Sequence, residues 1–291
     1  MTIAEWTREA SRVLVSAGLS DADARQDAEV LGRSVLGWDR ARWIVDSHRV
    51  LAAEAAAQLE TLIARRARRE PVAYILGRRE FYGRDFLVTP AVLIPRPETE
   101  LLVMAGQALA RAAIDRGTAN PHLLDVGTGS GCVAVTLALE VPDARVTATD
   151  VSPAALDVAR DNASRLGAAE RVTFVQAPFA AGLRASVDVL VSNPPYVALR
   201  DRDMLQPDVR DHEPALALFG GPAGFDVIDA LVTAARAALV PGGALVMEIG
   251  AGQRDEVAAR LEAAGFHDIT FTEDLAGYPR IVTARVPAAS V

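Results

Sequence analysis

The sequence predicts an α/β protein: a mostly parallel, seven-stranded sheet preceded by a helical bundle. Three observations lead there. Helix-period apolar spacing fills residues 1–70 without a strand-like run. From residue 122 onward, short β-like runs alternate with helix-like stretches. A glycine-rich turn and a proline-stiffened turn each follow one of those runs, at the sheet edge where ligands of such folds bind.

At 291 residues the chain is long enough for one large or two smaller domains. Hydrophobic residues make up 51% and charged residues 23%, the balance of a globular protein with a sizeable core. No apolar run approaches the ~18 residues that span a bilayer. The first residues carry Glu5 and Glu9 and no apolar signal core, so no export or transit signal is expected. Cys132 is the single cysteine, which excludes an internal disulfide framework and a cysteine-based zinc site. A cytoplasmic protein, away from membranes, is the expectation.

The formal net charge is −8, and every basic residue is arginine. Residues 1–85 are near neutral, with 14 arginines against 13 acids; the rest hold 16 against 25. An acidic second half argues against a sequence-independent grip on a phosphate backbone. Arg65, Arg66, Arg68 and Arg69 form the one basic run. It reads either as a solvated helix face or as a surface for an acidic or RNA-bearing partner.

Taken in order, Thr2 and Glu5 fit a capping box, and Ile3, Trp6, Ala10, Val13, Leu14 and Ala17 follow at helical spacing. Ser20 caps a second helix with Ala24, Ala28, Leu31 and Val35 on one face, closing at Gly37. A short piece over 38–46 precedes an Ala-rich helix over about 50–69. Trp6, Trp38 and Trp43 read as core anchors. The bundle carries no catalytic constellation, which makes residues 1–70 a substrate-orienting domain.

Pro71 ends the bundle, and residues 71–97 read as a hairpin linker. Its arms are Tyr74-Ile75-Leu76-Gly77, Glu80-Phe81-Tyr82-Gly83 and Phe86-Leu87-Val88. Pro95-Arg96-Pro97-Glu98-Thr99-Glu100 opens a helix over 101–113, with acids in its first turn to complement the dipole. Within 98–291 the strand candidates are His122–Val126, Arg145–Asp150, 171–176, Val187–Ser192, 244–249, 269–272 and 280–285. Helices are expected over 132–139, 153–166, 225–239 and 253–264. The last two strands follow without a helix, which suggests an antiparallel edge strand.

Two turns carry the chemistry. Asp125-Val126-Gly127-Thr128-Gly129-Ser130-Gly131 lets the backbone turn tightly and approach a ligand closely. A glycine-rich turn alone also suits a dinucleotide. The Gly-x-Gly-x-Gly spacing, the carboxylate of Asp125 for a cationic amino-acid head, and Asp150 for ribose hydroxyls point instead to S-adenosylmethionine. The second turn is Asn193-Pro194-Pro195-Tyr196, after the strand Val187–Ser192. Two prolines remove two N–H donors and hold the turn extended. The Asn193 side chain and the turn's carbonyls suit a planar N–H₂ group, with Tyr196 against its flat face.

Together, the glycine loop, Asp150 and Asn193-Pro194-Pro195-Tyr196 resemble a class I S-adenosylmethionine-dependent methyltransferase, Rossmann-like in fold, acting on a planar nitrogen. With Gly77, Glu80-Phe81-Tyr82-Gly83, Pro95–Glu100 and Asp211-His212-Glu213-Pro214, the chain resembles the peptide-chain release factor glutamine methyltransferases over nearly its whole length. That resemblance implies methylation of the glutamine in the Gly-Gly-Gln motif of release factors, to N5-methylglutamine. A monomer is the expectation for the chain's oligomeric state. The resemblance implies substrate contacts at Asn193, Pro194, Pro195 and Tyr196. Cofactor contacts are implied at Asp125, Gly127, Thr128, Gly129, Ser130, Gly131, Asp150 and Asn193. The chain departs from the family after the third strand, where an acid near the adenine is replaced by Gln176-Ala177-Pro178-Phe179. Pro178 and Phe179 are left to cover the base.

Other groups read as structural. Cys132 is a small packing residue at a helix start, and the four histidines show no metal-ligand spacing, so no metal is expected. Glu213 either shapes the substrate mouth or is structural. Glu98 and Thr99 either wall the cofactor or cap a helix, and Glu248 has no assigned role. Three rival functions stay open: a ribosomal-protein glutamine methyltransferase, an adenine N6-methyltransferase on an extruded base, and a cofactor-binding regulator without turnover.

Overall fold

Thr2 and Glu5 start the first helix as their spacing predicts. Thr2 Oγ1 accepts from Glu5 N–H, and Glu5 Oε2 accepts from Thr2 N–H. The structure is a computed structural model that describes residues 1–180 and 182–288. Residues 181 and 289–291, part of the expected domain over 98–291, lie outside the described residues. The chain divides into two units. One comprises Met1–Arg78 with Gln206–His212; the other comprises Arg79–Leu205 and resumes at Glu213.

The first unit contains α1 (Ile3–Ser16), α2 (Asp21–Leu36), α3 (Arg40–Val45), α4 (Ala53–Ala67) and α5 (Val72–Leu76). Ile3, Trp6, Ala10 and Leu14 of α1 pack on Ala24, Ala28 and Leu31 of α2, while Val13 is exposed. Trp6 and Trp43 meet edge to face at 6.3 Å. Gly32 admits the Trp43 ring, since a Cβ there would lie 2.2 Å from it. Trp38 is only half-buried, with the Arg42 guanidinium over its ring.

Two expectations for this stretch are corrected. Tyr74-Ile75-Leu76 is not a hairpin arm but α5, started after Pro71 and ended by Gly77 at φ 69°. Its burial of Tyr74 and Ile75 overrides their strand propensity. The arginine run is not a solvated face. Arg66 is buried between Asp27 and Asp208, Arg69 also pairs with Asp208, and Arg65 pairs with Glu70. Only Arg68 of the four is exposed.

The second unit begins one residue into a two-stranded hairpin, β1 (Arg78–Phe81) and β2 (Arg84–Leu87), which turns at Tyr82 and Gly83, both at positive φ. Then follow α6 (Thr99–Asp115), β3 (His122–Val126), α7 (Cys132–Glu140), β4 (Arg145–Asp150), α8 (Pro153–Arg165), β5 (Val172–Gln176) and β6 (Val187–Ser192). Next, α9 (Pro207–His212) lies in the segment that groups with the first unit. The chain closes with α10 (Ala215–Leu218), α11 (Asp226–Ala238), β7 (Leu239–Glu248), α12 (Arg254–Ala263), β8 (His267–Glu273) and β9 (Pro279–Arg285).

The sheet order is β5-β4-β3-β6-β7-β9-β8. β5, β4, β3, β6 and β7 are parallel to one another, and β9 runs antiparallel to both β7 and β8. The antiparallel strand is therefore one place in from the edge, and β8 is the edge strand. β9 returns directly from β8 and pairs with the apolar β7, which buries Ile281, Val282 and Ala284 completely. Strands β3, β6 and β7 are nearly continuous apolar runs because helices cover both faces. Strand order reverses between β3 and β6, creating the crevice at their carboxyl ends.

Candidate active site

The register of the central strands brings the two informative turns together. Val126, last of β3, pairs with Ser192, last of β6, and Ser192 Oγ donates to the Val126 carbonyl at 2.8 Å. The glycine loop and Asn193 therefore leave adjacent strand ends. Asp150 ends β4 on the other side of β3. A cavity of about 320 Å³ opens here, within the range of small-molecule sites. Its walls include Asp125, Gly127, Thr128, Gly129, Ser130, Asp150, Pro178, Phe179, Asn193, Pro194 and Pro195. Gly131 and Tyr196, also singled out from the sequence, are not among its lining residues.

The loop's shape follows from its own bonds. Asp125 Oδ2 accepts from Thr128 Oγ1 at 2.7 Å and from Ala134 N–H at 3.2 Å. Burial pushes the Asp125 carboxyl up to about 7, opposed by these two hydrogen bonds. The Gly127 and Thr128 amides donate to the Thr149 carbonyl. Gly129 has φ 54°, and a Cβ there would meet nothing within 4 Å, so backbone lies open at the cavity wall. At Gly131 a Cβ would crowd Ala159 at 3.0 Å, so that glycine serves the packing of α7 on α8.

Asp150 holds its carboxylate by two backbone amides, Gly129 N–H to Oδ2 and Ser152 N–H to Oδ1, each 2.9 Å. Both oxygens keep lone pairs for a diol. Phe179 adopts φ 48°, unusual for a bulky residue. Its carbonyl accepts from Thr149 Oγ1 at 2.7 Å, which anchors that segment of the cavity wall. This donor set fits an adenosyl group with a ribose diol and a cationic tail: open backbone, a paired carboxylate, an apolar wall and a second, buried carboxylate.

At the other end, Asn193 Nδ2 donates to Thr99 Oγ1 at 3.2 Å, and Thr99 Oγ1 donates to Glu248 Oε2 at 2.7 Å. Tyr196 turns its hydroxyl to Glu248 Oε1 at 3.4 Å, and a Cβ on Gly250 would touch its ring at 3.1 Å. Burial pushes Glu248 up to about 7, and burial also raises the Tyr196 hydroxyl. Gln253 Nε2 donates to the Tyr196 carbonyl, fixing the turn's far end. Glu213 is buried, accepts from Ile94 N–H at 3.1 Å and pairs with Arg96, which lines the cavity.

Sequence reasoning left Thr99 and Glu248 without a joint role, although an acid ending an apolar strand was a visible signal. Asn162 was missed altogether, because nothing in a mid-helix asparagine marks it. Cys132 is buried at the cavity wall, and burial raises its thiol to about 12, so it stays protonated.

A seven-stranded sheet with this strand order, a glycine loop on the first parallel strand and an amide turn on the fourth define a class I S-adenosylmethionine-dependent methyltransferase. The solved catalytic domain of hMettl16, in complex with MAT2A 3'UTR hairpin 6, aligns with a TM-score of 0.58 at 16% identity, covering 79% of this chain and 82% of that one. A methyltransferase from Pyrococcus furiosus aligns at 0.51 and 18% identity, covering 77% and 98%. These likenesses show the fold alone. Family models match as the PrmC N-terminal domain over residues 5–77 and the methyltransferase small domain over residues 104–208. The release factor glutamine methyltransferase of Cereibacter sphaeroides is 44% identical over 99% of this chain and 100% of its own. That of Burkholderia pseudomallei is 45% identical over 90% and 92%. The chain belongs to the release factor glutamine methyltransferase family.

Proposed function

We infer that this protein methylates the side-chain amide nitrogen of the glutamine in the Gly-Gly-Gln motif of peptide chain release factors, using S-adenosylmethionine and yielding N5-methylglutamine. The observation that carries this is one cavity that joins the glycine loop to Asn193 and Pro194 across adjacent strand ends. The full-length likeness to release factor enzymes, including the helical front domain, favours this substrate over a ribosomal protein or an adenine base.

S-Adenosylmethionine, when bound, supplies a methyl group activated by its sulfonium. Asp150 is suited to the ribose hydroxyls, Asp125 to the cationic tail, and Pro178 with Phe179 to the adenine. An amide nitrogen is a weak nucleophile because its lone pair is shared with the carbonyl. Asn193 Oδ1 and the Pro194 carbonyl accept from the substrate N–H₂, orient the nitrogen and stabilise the positive charge it develops. Tyr196 supports this turn through Glu248 rather than lining the cavity. The helical unit orients the protein substrate, and we place the enzyme in the cytoplasm as a monomer. No described helix is long and apolar enough to cross a membrane.

The test is incubation with labelled cofactor and release factors, a ribosomal fraction or nucleic acid. Peptide mapping should place label on the Gly-Gly-Gln glutamine. Label only in the other two substrates would reject the assignment.

A further inference from the structure

The side chains behind Asn193 form a hydrogen-bond chain with a direction. Thr99 and Glu248 are 3% and 2% exposed, so water does not compete for their bonds. A threonine hydroxyl has one proton, and here Thr99 gives it to Glu248 Oε2 at 2.7 Å. Only lone pairs remain on Thr99 for Asn193. The Asn193 amide must then present N–H₂ to Thr99, as it does at 3.2 Å, which leaves Oδ1 for the substrate.

We propose that Glu248 is a positioning residue: through Thr99 it fixes which end of the Asn193 amide meets the acceptor nitrogen, and its ionised form is the competent one. This rests on the methyl-acceptor reading given above. A protonated Glu248 gives its own proton to Thr99. The Thr99 hydroxyl is then free to donate to Asn193 Oδ1, so the amide can turn over. Its N–H₂ would then face the N–H₂ of the substrate, donor against donor, and the acceptor site is lost.

The surroundings place this reversal near neutral pH. Burial raises the Glu248 carboxyl to about 7. The Thr99 hydrogen bond, the charge of Arg280 on β9 and the Tyr196 hydrogen bond favour the ionised form, while Glu98 beside Thr99 opposes it. Cys132 also faces this carboxylate, but its thiol stays neutral.

The experiment measures kcat and KM for release factor methylation between about pH 5.5 and 9, in wild type, Glu248→Gln, Thr99→Val and Thr99→Ser. Calorimetry gives cofactor affinity, and circular dichroism checks the fold of each variant. The wild-type kcat should rise with pH through an inflection near 7. Glu248→Gln should lose that inflection. Thr99→Val should lower kcat by about 100-fold, the scale of misplacing a reacting group by ~1 Å, with KM and cofactor affinity within about threefold. Thr99→Ser should recover most of that loss, because it keeps the hydroxyl. Serine as damaging as valine, a loss carried by KM, or an inflection that survives in Glu248→Gln would overturn the proposal. The Asn193 side-chain ¹⁵N–H₂ resonances, followed by NMR in the free protein, should titrate near pH 7 in wild type and not in Glu248→Gln. A wild type inactive on release factors would reject the substrate reading, and this titration would still decide the direction of the chain.

Discussion

Asn162 and Ser130 are joined by a hydrogen bond from Nδ2 to the backbone carbonyl at 2.9 Å, across 32 residues of sequence. The same amide donates to the Leu87 carbonyl at 2.9 Å and accepts from Leu87 N–H at 2.7 Å. One fully buried side chain on α8 thus ties the glycine loop to the hairpin strand β2. The loop's shape depends on packing from outside itself as well as on its glycines.

Asn162→Ala should therefore do two things at once. It removes three hydrogen bonds, the buried one to the Ser130 carbonyl and the two part-buried ones to Leu87, each worth ~0.5–1.5 kcal/mol net, so stability should fall by roughly 2–4 kcal/mol in urea titration. Cofactor affinity should fall about tenfold by calorimetry as the Ser130 segment relaxes. Unchanged affinity in a folded variant would show that the loop holds its shape alone.

Asn193→Ala separates acceptor chemistry from cofactor binding. Loss of a preorganised group at developing charge costs about 10²–10³ in kcat. Cofactor affinity should stay within about threefold, because the glycine loop and Asp150 hold their geometry independently of Asn193. A single-turnover assay with saturating cofactor, beside calorimetry, reads both quantities. Parallel losses would assign Asn193 to the cofactor.

Much of this was legible in the sequence because it is local. The capping box at Thr2, the alternation of strands and helices, and the two turns each occupy a few consecutive residues. The Tyr74-Ile75-Leu76 segment misled because short apolar runs fit strand and helix alike, and packing decides. The place of β9 inside the sheet follows from its pairing with β7, a long-range choice that the missing helix after β8 does not specify. The network Asn193–Thr99–Glu248 joins residues 94 and 149 positions apart, and the Asn162 bridge spans 75, so no spacing rule reveals either. The arginine run was ambiguous for the same reason: its partners Asp27 and Asp208 are remote in sequence.

Arg66 tests that last point. Its guanidinium is buried, with Nε on Asp27 and Nη2 on Asp208, each at 2.6 Å. Burial holds the Asp27 carboxyl above the usual range, with Arg66 opposing. Arg66→Ala leaves Asp27 without its cation and Asp208 with Arg69 alone, two partly buried acids facing each other, and breaking such a pair costs about 3–5 kcal/mol. Thermal unfolding should show the loss, and added salt should restore little of it because Arg66 is 5% exposed. Arg68→Ala, at the exposed position of the same run, should change stability by less than about 0.5 kcal/mol. Equal effects from the two substitutions would mean that the run acts as a surface after all.

The Asp125 carboxyl gives a pH signature with a definite sign. Its value rises from 3.8 to about 7 on folding because burial disfavours the charge. Between those values the native state holds a proton that the unfolded chain has lost, so stability falls as pH rises through this window. The contribution is fully present below about pH 4 and gone above about 7. Asp125→Asn keeps an acceptor for Thr128 and Ala134 but does not titrate. Its stability relative to wild type should therefore increase from pH 4 to 8 in urea titrations. Glu248 titrates in both proteins, so the difference isolates Asp125. A cationic aminoacyl tail beside the carboxylate favours its ionised form. Binding of S-adenosylmethionine near pH 6.5 should then release a proton, read as a buffer-dependent enthalpy in calorimetry, and Asp125→Asn should abolish that dependence. Buffer-independent binding by wild type would place the cationic tail away from Asp125.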